Sequence, residues 1–490
     1  MSVRGGYGLY RLPLAMRAFI NTNRSTPPME GTFSRNYNSA AQSPDGPANY
    51  WLGTVPAVVA GVSSRDAIDA NSPPDIAPGS FSVNYADPHQ PTSRAHQRNL
   101  TVEREILEDT VLRAACVGSR GEALDNRLAL NDAPQACVWM VRTGTALPTG
   151  RLAGVATRPF DQSVYGNINQ FTRNGYSNFN SLQPEAQRRC KFGLAFQFFY
   201  VLSNGFRTQG TADNGTNENS VGALANFPPG AVPEDIEKRT RLLTYMRDTG
   251  YPKHRMRWNW VLDLPFGKGK KLLGSSRGVL QYLVGGWRLA GSRHGASTWF
   301  SLPTTNWGTM APLEFYTRGH PIQDCRSGEC VPGYLWFNGY IPANRVNSTD
   351  ASGRPNGVMG VPADYRPSLQ PIWPAPAGGA NPNDPGYALY ETNQVMVALA
   401  NGTTQRGNDN TNLHRWINQN LLGPWNWGLF ASLFKVIPIG ERVRVRFNAD
   451  FFSVLNNPGT PAPDGGRGLV SVRTSANSPR KLQLTLRLIW

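Results

Sequence analysis

Lys481-Leu482-Gln483-Leu484-Thr485-Leu486-Arg487-Leu488-Ile489-Trp490 ends the chain, and the reading of this stretch decides the fold. Leu482, Leu484, Leu486, Leu488 and Trp490 alternate with Lys481, Gln483, Thr485 and Arg487. Successive side chains of a strand point to opposite faces, so the segment has one apolar face and one largely polar face. Two folds accept such a strand. A soluble β-sandwich would cover the leucines with a second sheet; a transmembrane β-barrel would give them to lipid and turn the polar row to the lumen.

Composition narrows the choice. The chain has 490 residues, 40% of them hydrophobic and 17% charged, which is too apolar for a disordered chain. No run of eighteen apolar residues occurs, so no transmembrane helix is expected. Barrel strands escape that criterion, because only every second residue of a short segment meets lipid. Fifty glycines and 39 prolines supply many turns, while 17 tyrosines and 13 tryptophans provide amphipathic aromatics for a membrane boundary. The formal net charge of +16 calls for an anionic neighbour such as nucleic acid, acidic polysaccharide or the phosphorylated face of an outer membrane. The basic residues are scattered singly or in pairs, the pattern of solvated loop charge, and nucleic acid is not expected as a partner.

Ten segments have strand character: 2–11, 97–107, 110–118, 176–189, 192–206, 254–265, 286–301, 425–437, 441–455 and 481–490. The ninth alternates most clearly. Val443, Val445, Phe447, Ala449 and Phe451 share one face, and Arg442, Arg444, Arg446, Asn448 and Asp450 the other. Several arginines in register are costly in a dry core and suit a water-filled lumen, which makes Arg442, Arg444, Arg446 and Asp450 lumen-facing candidates. Trp258, Trp260 and Trp427, near the starts of their segments, are candidates for lipid-facing positions in an aromatic girdle, together with Leu482, Leu484, Leu486, Leu488 and Trp490. The connections alternate in length. Glu108-Asp109, about Cys190-Lys191 and Pro438-Ile439-Gly440 are tight, whereas about 12–96, 119–175, 207–253, 302–424 and 456–480 are long. Long loops therefore emerge on one side, as in outer-membrane barrels. Residues 266–285 depart from the pattern, with a short helix expected over Val279–Val284. The long loops should carry structure of their own: a helix from Glu237 to Arg247 with an acidic first turn and a stop at Gly250, and a strand over 391–401.

Chemistry-bearing motifs are missing. HExxH, GxSxG, Walker A and the dinucleotide fingerprint do not occur, and Phe266-Gly267-Lys268-Gly269-Lys270-Lys271 lacks the phosphate-loop spacing. The six histidines have no carboxylate partner at a diagnostic spacing, and the five cysteines match no zinc pattern. No enzyme activity, cofactor or metal is expected. Cys325 and Cys330 flank Arg-Ser-Gly-Glu in a turn-rich stretch and would form a small disulfide loop in an oxidising compartment.

Four groups of segments carry a family resemblance. They are Gln97–Glu105 with Val117–Gly121, Gly193–Gln197 with Tyr200–Ser203, His254–Trp260 with Asp263–Gly267, and Trp425–Phe434 with Arg446–Asn456. Together with the terminal aromatic, they resemble the C-terminal barrel of TonB-dependent, Oar-like outer-membrane transporters, over nearly the whole chain and in order. The resemblance implies a larger parent with a signal peptide, a carboxypeptidase-regulatory-like β-sandwich, a lumen plug that TonB contacts and a barrel of about 22 strands. The chain would correspond to roughly its last ten strands, residues 1–490 being the C-terminal portion of an outer-membrane β-barrel without plug or N-terminal domains. The implied function is uptake of a large or scarce nutrient across the outer membrane. The implied partners are outer-membrane lipid and lipopolysaccharide, the barrel-insertion machinery acting on the C-terminal strand, TonB only through the missing plug, and an unidentified transported ligand. Pro184, Cys116 and Cys190 depart from the family pattern, and these substitutions are expected to weaken strands three to five.

The expectation is thus an all-β, antiparallel, partial transmembrane barrel of about ten strands, with long structured extracellular loops and short periplasmic turns. The alternative is a secreted or surface-exposed β-rich binding or adhesion module. What covers the leucine and tryptophan rows separates them: lipid, or a second sheet over a dry core.

Overall fold

The computed structural model describes the chain apart from 14–80, 150–155, 161–164, 209–219, 304–306, 372–393, 409–419, 472–476 and isolated positions between these stretches. Most of the expected 12–96 loop lies outside the described residues. Ten strands form one antiparallel meander in chain order: β1 Ser2–Leu12, β2 Ser93–Leu107, β3 Thr110–Ala129, β4 Tyr165–Lys191, β5 Leu194–Thr208, β6 His254–Asp263, β7 Trp287–Ser301, β8 Asn420–Ile439, β9 Val443–Phe452 and β10 Lys481–Ile489. Each pairs with its sequence neighbour. Among the described residues β1 and β10 are bonded on one side only, so the sheet is open.

The tight connections lie at one end. Asp109 sits in the left-handed region at φ 64°, a conformation aspartate tolerates, and its amide donates to Glu105 Oε1 at 3.1 Å. The β4–β5 turn uses Gly193 at φ 81°. Between β6 and β7 a helix over Gly278–Val284 closes the same end, as the run at 279–284 foretells, with the Trp287 indole N–H donating to the Leu283 carbonyl at 2.7 Å.

Strands β3 and β4 run eleven residues further towards the loop end than their alternation indicates. The extension is a bulged ladder from Glu122–Tyr176 to Ala129–Asn169, also flanked by the parallel strand Phe81–Ala86. Backbone pairing holds it where no apolar alternation is needed, so periodicity could not reveal it. Pro184 leaves β4 continuous. It stands opposite Ala114 of β3, while the ladder to β5 passes from Leu182–Leu202 to Glu185–Phe199 and omits Gln183 and Pro184. The proline lacks a donor, and the strand accommodates it by losing one side of its ladder locally.

The loop ends carry a packed layer. Phe315–Asp324, Val331–Phe337 and Val358–Met359 from the β7–β8 connection form a four-stranded sheet with Leu469–Ser471 from the β9–β10 connection. Ile322, Leu335, Ile341, Val358, Val361, Tyr365 and Leu469 make its core. Phe300 and Leu302 at the end of β7 pack with Phe337 and Leu369, fixing the layer to the strands beneath. Cys325 and Cys330 are joined in a disulfide across the tip of the Phe315–Phe337 hairpin. Tyr365 is buried with its hydroxyl donating to the Gly339 carbonyl, and burial pushes its pKa far above the ordinary tyrosine value. A second small cluster joins the helix Ala136–Thr143 to the hairpin Gln394–Ala398/Thr404–Asn408 through Cys137, Met140, Val397 and Leu399. The expected 391–401 strand is the first arm of that hairpin. The helix expected to reach Arg247 ends at Thr244. Asp235 caps its start, accepting from the Lys238 amide at 2.8 Å, and Tyr245–Arg247 turns extended to pair with Phe206–Thr208.

Candidate functional site: the two faces of the meander

The register sorts the side chains into two faces. One continuous row is Leu484–Ala449–Leu433–Leu289–Leu262–Leu194, read from β10 back to β5. Such a row would be the core of a sandwich. Here Leu482, Leu484, Leu486 and Leu488 are 55%, 63%, 73% and 54% exposed, and among the described residues no second sheet covers them; the four-stranded sheet packs at the loop end of β7 instead. Cations on this face reach past it. Arg293 lies over the Trp427 ring at 5.1 Å, and Lys435 extends across Trp287 to the Tyr282 carbonyl at the tight-turn end.

The expected girdle is rearranged. Trp258 and Trp260 stand opposite Arg293 and Gly291 in the middle of β7, and Trp427 opposite Gly295, because β8 begins at Asn420 rather than 425. Their rings cover cross-strand glycines: a Cβ on Gly291 would run into Trp260 and one on Gly295 into Trp427. A glycine in a strand exposes backbone, and an aromatic laid across it restores contact. The tryptophans of β7 itself, Trp287 and Trp299, mark its two ends instead. Gly295→Val is expected to displace Trp427 and lower stability by about 1–3 kcal/mol, read as a lower unfolding midpoint in denaturant, whereas Ala296→Val on the other face should cost less. Equal costs would show that the ring does not depend on the glycine.

The opposite face is a polar ladder. Ser292 Oγ donates to Asn259 Oδ1 at 2.8 Å, Gln197 Nε2 to Glu185 Oε1 at 2.9 Å, and Ser432 Oγ to Asp450 Oδ1. Arg113 approaches the second oxygen of Glu185 at 3.7 Å. Ser292, Asn259, Gln197, Ser432 and Asp450 line one hollow on this side, with Phe430 and Phe452 among them. Of the four lumen candidates, Arg444, Arg446 and Asp450 lie on this face, opposite Ile489, Arg487 and Gln483. Arg442 does not; it stands in the turn before β9. Asp450 also fails to sit among the arginines, since its carboxylate takes the Ser432 hydroxyl. Arg446 instead donates to Asn448 Oδ1 at 2.9 Å and lies over Phe434. Sequence reasoning missed Arg487 as part of this cluster. It faces Arg446 directly across the β9–β10 pair, and two like charges so opposed call for an anionic partner. The alternation of β10 marks Arg487 as polar-face, but only the register shows what it opposes. Among the described residues no cluster of His, Cys, Asp and Glu could hold a metal ion.

Residues 1–311, covering β1 to β7, match the model of the outer membrane beta barrel domain. The chain belongs to that family. This outer-membrane barrel chain is therefore an all-β protein of the outer membrane, and its exposed leucine face and one-sided long loops have the anatomy of that setting. Among solved structures it is similar to the outer membrane transporter YddB from Escherichia coli, at 7% identity and a TM-score of 0.37, over 84% of this chain and 34% of that one. It is also similar to the ferric-catecholate import receptor Fiu from K12 E. coli, at 10% identity and a TM-score of 0.11, over 81% and 64% of the two chains. The barrel chain thus spans about a third of YddB. No curated protein matches its sequence.

Proposed function

We propose that this chain is an arc of a TonB-dependent, Oar-like transporter barrel that takes up a large or scarce nutrient through the outer membrane. The carrying observation is the open ten-strand meander with a polar inner ladder. A bare edge in hydrocarbon leaves amides and carbonyls without partners, so further strands must close the cylinder, and a cylinder wider than ten strands has room for a plug and a sizeable cargo. Arg444, Arg446 and Arg487 offer that plug a cationic docking point on the inner wall, where carboxylates would relieve their mutual repulsion. The packed layer on β7, β8 and the β9–β10 connection is the part that first meets cargo from outside. TonB contact belongs to the plug, and the C-terminal strand is the end offered to the insertion machinery.

Growth of a deletion strain tests this reading. Ferric siderophores, oligopeptides and oligosaccharides are supplied in turn as sole source of iron, nitrogen or carbon. Loss of growth on one class is expected, restored by the intact gene and abolished by a protonophore. Undiminished growth on every class, with the protein recovered only from the soluble fraction, would overturn the reading.

A further inference from the structure

The apolar face ends abruptly on β2 to β5. Its last row there is Leu100–Cys116–Leu182–Leu202, and the next row towards the loops is Arg98–Gly118–Asn180–Asn204. Two residues along each strand separate hydrocarbon chemistry from polar chemistry. At this step lies a hollow of about 640 Å³, floored by the four apolar residues and roofed by Arg98, Arg247, Lys253 and the two asparagines. Leu100, Leu182 and Leu202 are 51%, 43% and 36% exposed, so the floor is open to whatever bathes the leucine face.

The roof is held in place. Arg98 Nη2 donates to Asn180 Oδ1 at 2.8 Å, crossing β3 at Gly118, where any Cβ would collide with the guanidinium. Arg247 donates to Asn204 Oδ1 and is sandwiched by the Phe206 and Trp299 rings at 4.7 and 4.6 Å. Each guanidinium keeps most of its five donors for another acceptor. Among the described residues none of Arg98, Arg247 and Lys253 is ion-paired. The carboxylates on adjoining segments are already engaged, Glu122 by Arg120 at 2.7 Å and Asp248 by Arg207 at 3.4 Å.

We infer that this hollow binds a phosphorylated, acylated glycolipid of the outer leaflet, lipopolysaccharide, with phosphate under Arg98, Arg247 and Lys253 and an acyl chain along Leu100, Leu182 and Leu202. The cations stand on the loop side of the apolar row, which in an outer-membrane barrel is the external side and the level of the outer-leaflet headgroups. Arginine forks match phosphate oxygens in geometry as well as charge, and each cation near an anionic membrane surface strengthens binding about fivefold. A soluble phosphate has no use for the leucine floor, and a neutral lipid none for the roof. The inference requires the membrane setting and is independent of whether the barrel transports anything.

The test uses the full chain in zwitterionic detergent micelles, with bisphosphorylated lipid A as probe. Arg98→Gln/Arg247→Gln is expected to weaken retention on the order of 30-fold. Arg255→Gln/Arg257→Gln, which removes the same charge from the opposite face, should leave it unchanged, and Arg98→Lys/Arg247→Lys should retain most of it. Dephosphorylated lipid A should bind as weakly as the glutamine variant, and inorganic phosphate should not displace the probe. Equal retention by the glutamine variant and its opposite-face control would overturn the inference. So would displacement by inorganic phosphate alone, or loss of binding in the lysine variant. Should the glutamine variant fail to fold, the exposed thiol of Cys116 in the wild-type floor decides. It should be shielded from a bulky maleimide by bisphosphorylated lipid A and open with the dephosphorylated form, and equal reactivity in both overturns the inference.

Discussion

Leu433→Arg/Leu484→Arg is expected to abolish insertion, giving protein that runs at one mobility with and without boiling. The two leucines flank Ala449 in a single row of β8, β9 and β10. An arginine on the lipid face of a barrel costs about 2–4 kcal/mol near the bilayer midplane, so the pair costs about 4–8 kcal/mol, against the roughly 5–15 kcal/mol that keeps a typical protein folded. Gln483→Arg/Thr485→Arg adds the same charge to the other face of β10, where water solvates it, and should insert normally. The contrast has diagnostic force because Leu484 is 63% exposed. At a soluble protein's surface, replacing so exposed a leucine would change stability by no more than about 0.5 kcal/mol. Normal insertion of the leucine pair would therefore mean that the row through Leu433, Ala449 and Leu484 does not face lipid.

Phe337→Ala should uncouple the loop layer from the strands. The ring is fully buried, stacked on Phe300 at 5.5 Å and beside Phe315 at 6.2 Å, and its loss should cost about 3–5 kcal/mol. That energy is lost locally. Heat-modifiable mobility should survive, while limited proteolysis cuts rapidly between 302 and 420. Tyr334→Ala, in the same hairpin but 43% exposed, should leave the protease pattern as it was. Matching resistance of the two variants would mean that the layer is not anchored through Phe337.

The ten strands were legible because barrel anatomy writes itself locally. A lipid-facing strand must alternate, as Val443 to Phe451 and Leu482 to Leu488 do, and a tight hairpin must place a tolerant residue such as Asp109 at its turn. What stayed hidden depends on register. That Trp260 and Trp427 cover glycines, that Arg487 opposes Arg446, and that Arg98 reaches Asn180 across Gly118 are facts about pairs of residues between 31 and 132 positions apart in sequence. Arg442 shows the reverse error, since the strand expected from 441 begins only at Val443 and leaves Arg442 in the turn. The loop layer was least legible, because Leu469–Ser471 and Val331–Phe337 form a sheet only after two separate connections meet.

The bare edges have a direction as well as a position. β1 runs from the tight-turn end towards the loops and β10 runs back, so the two edges are already antiparallel to each other. Strands inserted between them must alternate in direction, and only an even number can do so. A cylinder closed across these two edges by antiparallel pairing alone therefore has an even strand count however wide it is.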